Sequence, residues 1–197
     1  ELCGFFNQNL PNSSIGILTN AMATDTILDK SKEILDKFQP KSLWLGSSLD
    51  GIGKRHDRIR GVDGAFSAFY KTIGRCKKEL PSVKLSTTFT LTPYNIDQLL
   101  PVKQFADKEG LDFFAQFAVP KEGREKFRWT TAQLKTVEEE IKEIIQELIN
   151  KADDKIALAS IDSFKDKNLI TQLYYWSNLV EYQAHPKRFF KRCITGS

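Results

Sequence analysis

Four short apolar runs stand out in the first 120 residues: Ile15-Gly16-Ile17-Leu18, Ser42-Leu43-Trp44-Leu45, Val83 to Leu91, and Leu111 to Val119. Their length and their β-branched and aromatic content predict strands. Three amphipathic stretches separate them. Thr26 to Phe38 sets Ile27, Ile34, Leu35 and Phe38 along one side; Gly64 to Leu80 does so with Phe66, Phe69 and Ile73; Ile96 to Lys108 uses Leu99, Leu100, Val102 and Phe105. Strand and helix in alternation predict an α/β fold with a parallel sheet and right-handed crossovers, either open or curved toward a barrel. Residues able to cap a helix precede each stretch: Asp25, Asp63-Gly64 and Asn95. Gly110 stands where a left-handed helix end is expected.

After Pro120 the pattern changes. Residues 121–126 are charged and loop-like, and Thr131 to Lys151 then carries Leu134, Val137, Ile141, Ile144, Ile145 and Leu148 at three- and four-residue steps. That spacing predicts a long amphipathic helix with Thr130-Thr131 at its start. Glu138-Glu139-Glu140 fits its solvated face better than a metal site. A second helix, Leu169 to Tyr182, is rich in aromatic residues. No internal repeat is visible.

Composition narrows the possibilities. The chain has 197 residues, 41% hydrophobic and 27% charged, which excludes a disordered or collagen-like polymer. It has no apolar run of roughly 18 residues and no basic-then-apolar start, so neither a spanning helix nor a signal peptide is expected. A cytoplasmic protein with no membrane partner is the expectation. The net charge of +4 is a small excess and gives little support to a nucleic-acid partner. Basic and aromatic residues do interleave in Lys187-Arg188-Phe189-Phe190-Lys191-Arg192, a pattern that can grip single-stranded nucleic acid but that a solvated segment with two anchoring rings explains better. Cys3, Cys76 and Cys193 are too far apart for a complete zinc or iron-sulfur knot. The opening Glu1-Leu2-Cys3, with the single methionine at Met22, suggests a piece of a longer protein.

In parallel α/β folds, chemistry gathers at the carboxyl ends of the strands. The residues there are Thr19-Asn20, then Ser47-Ser48-Leu49-Asp50-Gly51, then Thr90-Leu91-Thr92-Pro93, then Gln116 with Pro120. They are small, polar and suited to holding a ligand, and Asp50 alone among them could do acid-base work. The densest stretch, Gly46 to Gly61, fails as a phosphate loop, because Gly53-Lys54 is followed by Arg55 and Ser48 occupies the leading glycine position. His56-Asp57 lacks the further ligands of a metal hydrolase, and a structural pair is the simpler reading. Arg55, Arg58 and Arg60 could clamp an anion or brace a loop. Ser48 and Asp50 together suit a ribose.

At these residues the text resembles a known family. Ser48-Leu49-Asp50-Gly51, His56-Asp57-Arg58-Ile59-Arg60-Gly61 and Gly64-Ala65-Phe66 resemble the middle of radical S-adenosylmethionine (SAM) enzymes of the branch with a C-terminal SPASM-type domain. Gly16-Ile17-Leu18-Thr19-Asn20 and Thr88 to Asn95 extend the similarity in the family's order. The resemblance implies part of a (β/α)6 partial barrel over residues 1–120, holding the third to sixth strands. It implies a helical connector over 121–190 and the start of the SPASM-type region over 191–197. It further implies that Thr19 and Asn20 approach the methionine end of SAM, that Ser48 and Asp50 lie near its ribose, and that Arg60 belongs to the same cofactor site. Ala21 stands where the family has glycine. Arg192-Cys193-Ile194-Thr195-Gly196 is similar to the opening of the SPASM region, which would make Cys193 a metal ligand of an auxiliary iron-sulfur cluster.

The family's CxxxCxxC and Gly-Gly-Glu segments do not occur in this chain. The expectation is therefore a parent enzyme that uses SAM and a [4Fe-4S] cluster on a peptide, protein or small molecule, and a fragment that is inactive alone. Its open barrel edge would favour self-association. The competing expectation is a cluster-free α/β domain that binds an adenosine-like ligand or a protein without chemistry.

Overall fold

A computed structural model describes residues 2–10, 13–118, 129–156 and 167–184. The described residues fall into two compact units, one within residues 1–127 and one within 128–197. The first holds α1 (Leu2–Asn9), β1 (Ser14–Thr19), α2 (Thr24–Phe38), β2 (Ser42–Ser48), α3 (Lys54–Arg60), α4 (Ala65–Glu79), β3 (Lys84–Leu91), α5 (Leu99–Lys108) and β4 (Asp112–Phe117). Its four strands form one parallel sheet in the order β1-β2-β3-β4. This is the α/β arrangement expected, and it is consistent with part of a TIM-like barrel.

Register shows how the two faces differ. Ile17, Leu45 and Leu85 lie abreast on three strands, as do Phe89 and Ala115 on β3 and β4. Leu28 of α2, Cys76 of α4 and Leu80 just after it pack on this face with Leu43, Leu45 and Val83. Farther along, the rings of Phe66, Phe69 and Tyr70 of α4 meet Phe105 of α5 at tilted angles. The other face carries Gly16, Leu18, Gly46, Ser48, Ser86, Thr88, Thr90, Phe114 and Gln116. Here Leu18 is 85% exposed and Phe114 54%. A parallel sheet is usually covered on both faces. Apart from Leu18 and Phe114, the open face of this one is small and polar.

Several boundaries differ from the sequence expectation for identifiable reasons. Asp25 does not cap α2. It lies in the first turn, paired with Arg75 of α4, while Ala23 holds the cap position. The third helix begins at Leu99 rather than Ile96, because a start at 96 would bury Pro101 deep in the helix where its missing N–H breaks a bond. Asn95 consequently does not cap it. The short helix α3 was not anticipated; it is bracketed by Gly53 and Gly61, both at positive φ, 58° and 66°. Gly110, at φ 62°, does take the left-handed conformation after α5.

The second unit contains α6 (Thr131–Ile156) and α7 (Lys167–Ala184). Thr130 and Gln133 cap α6 reciprocally: the Gln133 amide donates to Thr130 Oγ1 at 3.2 Å, and the Thr130 amide to Gln133 Oε1 at 2.9 Å. Val137, Ile141, Ile144 and Leu148 are buried along α6, Trp176 and Leu179 along α7. Among the described residues no helix is long and apolar enough to cross a membrane.

Candidate functional site

The tip of β1 is shaped by its own side chains. Thr19 Oγ1 accepts the Ala21 amide at 3.2 Å, and Asn20 Oδ1 accepts the Met22 amide at 3.1 Å. Each oxygen thus gives one acceptor site to the turn, and the Thr19 O–H and the Asn20 amide N–H groups can donate outward. Ala21 sits at φ 58°, in the left-handed region that glycine would fill without strain, and is 1% exposed. Ala21 thus takes a backbone conformation that glycine would adopt freely. A hydroxyl relay holds it: Thr72 of α4 donates to the Ala21 carbonyl at 2.8 Å, which obliges Thr24 to donate to Thr72 at 2.7 Å.

The loop after β2 is tied to three neighbours. Asp50, 4% exposed, accepts the Thr90 amide on Oδ1 at 3.1 Å and pairs through Oδ2 with Arg60 at 2.7 Å. The fully buried Asn95 side chain donates to the carbonyls of Asp50 and Thr90, each at 3.1 Å, and accepts from the Thr92 amide and hydroxyl. Asn95 is therefore the bracket between the tips of β2 and β3. Farther along the loop, Ile52 donates to Gln98 Oε1 at 3.1 Å, and Arg55 pairs with Asp97 at 2.6 Å.

His56 and Asp57, adjacent in sequence, face different tasks. The Asp50 amide donates to His56 Nδ1 at 3.1 Å. Burial pushes the imidazole below its usual range; the nearby Asp50 carboxylate opposes this and the Arg60 guanidinium adds to it. Asp57 instead accepts the amides of Phe66 at 2.7 Å and Gly64 at 3.1 Å, which hold its carboxyl below the ordinary range and anchor the start of α4. The structural pair expected from the sequence is two separate structural bonds.

Between the tips of β1 and β2 lies a half-open cleft of about 480 Å³, within the range of small-molecule sites. Thr19, Asn20, Ser48 and Arg60 line it together with His56 and Met22. Asp50 stands behind Arg60 rather than in the wall. Thr90, Thr92 and Gln116 are not part of the lining, and of the three arginines only Arg60 reaches it. His56, brought back by the turn of α3, places an imidazole beside Asp50. A His six residues after a strand-end Asp, with glycines between, was the available signal.

The walls fit an adenosyl ligand by their donor set, a hydroxyl, an amide and a guanidinium around a cleft of suitable size. They do not fit an iron cluster. Among the described residues no three His, Cys, Asp or Glu side chains come together, and Cys76 lies in the apolar core with its thiol pushed up by burial. Cys193 and the rest of 191–197 lie outside the described residues.

No family model matches the chain. It is 37% identical over 71 residues to Pre-heme d1 synthase of Dinoroseobacter shibae, which is 36% of this chain and 17% of that protein. It is 29% identical over 85 residues to Fe-coproporphyrin III synthase of Methanosarcina barkeri, which is 43% of this chain and 20% of that protein. The chain thus spans no more than a fifth of the curated relatives it matches. Both relatives are radical SAM enzymes, and the similarity supports that family; it does not show a SPASM-type domain.

Proposed function

We propose that this chain is part of a radical SAM enzyme and that the cleft at the tips of β1 and β2 holds part of the cofactor. The observation that carries the reading is the convergence of Thr19, Asn20, Ser48 and Arg60 on one cleft at the carboxyl ends of adjacent parallel strands. Thr19, Asn20 and Ser48 offer hydrogen bonds, Arg60 offers charge, and Asp50 fixes Arg60 and the β3 tip. When bound, SAM and a reduced [4Fe-4S] cluster supply one-electron bond cleavage and hydrogen abstraction. This chain contributes placement and shelter, and the 197 residues alone bind without catalysing.

The resemblance to SPASM-type enzymes favours a peptide or protein substrate, with Cys193 ligating an auxiliary cluster at the boundary of residues 191–197. The two relatives are named for pre-heme d1 and Fe-coproporphyrin III, and that observation favours a tetrapyrrole as the second substrate reading.

The test begins with the coding sequence upstream of Glu1, where CxxxCxxC and Gly-Gly-Glu are expected. The longer product, reconstituted anaerobically and given SAM and reductant, should form 5′-deoxyadenosine, and Asp50→Ala should depress that yield. A start codon beside Glu1, or a longer product that never cleaves SAM, contradicts the proposal.

A further inference from the structure

His56 is buried, yet it lines the cleft, and the two faces of its ring are differently employed. Nδ1 accepts the Asp50 amide at 3.1 Å, so in the neutral ring the proton must sit on Nε2. The ring lies against Phe69 with centroids 6.4 Å apart, which restricts its rotation. Nε2 has no partner among the described residues. Nε2 is not one of the buried orphaned atoms, so it is open to the cleft, where a ligand or water can complete it. Its neighbours in the wall, the Thr19 hydroxyl, the Asn20 amide N–H groups and Arg60, can donate too.

We infer that His56 donates a hydrogen bond from Nε2–H to an oxygen acceptor of the ligand in this cleft, and so works at once as a recognition group and as the latch for the Asp50 loop. The inference rests on the cleft being a ligand site. A carboxylate and a sugar hydroxyl both present such an oxygen. S-Adenosylhomocysteine, which carries both, and adenosine, which carries only hydroxyls, are therefore the probes.

Two substitutions separate the two roles of the ring. His56→Asn keeps an acceptor near the Nδ1 position and removes the Nε2–H; His56→Gln keeps a donor near Nε2 and removes the Nδ1 acceptor. By titration calorimetry on the full chain, His56→Asn should weaken S-adenosylhomocysteine by about five-fold, the worth of one neutral hydrogen bond. His56→Gln should retain more of the affinity while melting earlier. Equal loss for adenosine assigns a hydroxyl as the acceptor, and loss for S-adenosylhomocysteine alone assigns the carboxylate. Wild-type affinity in His56→Asn overturns the inference while leaving the cleft reading standing. Failure of the wild-type chain to bind either probe overturns both.

Should neither variant fold, nitrogen-15 spectra of the wild-type imidazoles decide, with His185→Gln used to assign the signals. A neutral Nε2–H tautomer whose resonance moves on adding S-adenosylhomocysteine supports the inference. A ring protonated on both nitrogens at neutral pH, or a resonance that does not move, overturns it.

Discussion

The two faces of the four-stranded sheet carry different kinds of residue along the same strands. On β3, Thr87, Phe89 and Leu91 point toward the helices and are fully buried, whereas Ser86, Thr88 and Thr90 alternate with them and are half-exposed. The first set makes the core with Leu43, Leu45 and Ala115; the second lines a surface where the polar tips of neighbouring strands converge. One face therefore holds the fold, and the other, with the loops at its end, is free to hold a ligand. The division follows from the period of two, which places adjacent residues in opposite environments.

The contrast is sharpest in paired substitutions, measured by chemical denaturation. Phe89→Ala should cost about 3–5 kcal/mol, through lost burial and the cavity left behind. Its neighbour Thr88→Ala should stay within about 0.5 kcal/mol. Comparable losses at the two positions would break the distinction between the faces.

At the strand tips the expected effects are intermediate. Asp50→Ala strands the Thr90 amide and frees Arg60, and should cost about 2 kcal/mol. Ala21→Gly should instead stabilise the chain by about 1 kcal/mol, since the left-handed backbone there disfavours a side chain. A destabilised Ala21→Gly would show that the buried methyl outweighs the strain.

The smallest effect is a pH dependence. His56 is held below its ordinary range in the fold, so the unfolded chain binds the proton first. Its contribution is complete above the unfolded value of about 6.5 and is lost as pH falls from there through the lowered folded value. Replacing His56 with Asn should flatten that part of the stability profile.

The helix-facing pattern was legible because hydrophobic alternation is local: the four runs predicted β1 to β4, and the amphipathic stretches predicted α2, α4 and α5. The strand-tip residues Thr19, Asn20 and Ser48 were legible because topology alone places them together. Less visible were bonds that leap between elements. Asp57 secures amides seven and nine residues ahead, where Asp63 looked the natural cap. Asn95 spans from the β3 turn to a carbonyl 45 residues away, and no local propensity signals that. His56 seemed paired with Asp57 by adjacency, but one turn of α3 directs it back to Asp50. Ala21 looked like a departure from glycine, and only the backbone reveals a conformation that glycine would favour.

The account depends on the cleft between β1 and β2 being the ligand site. Backbone amide spectra recorded while S-adenosylhomocysteine is added to the full chain test this directly. The account predicts shifts concentrated at Thr19, Asn20, Ser48, His56 and Arg60, with Lys77 and Gly110 at the opposite strand ends unmoved. Shifts scattered over both ends of the sheet, or none at saturating ligand, would contradict it.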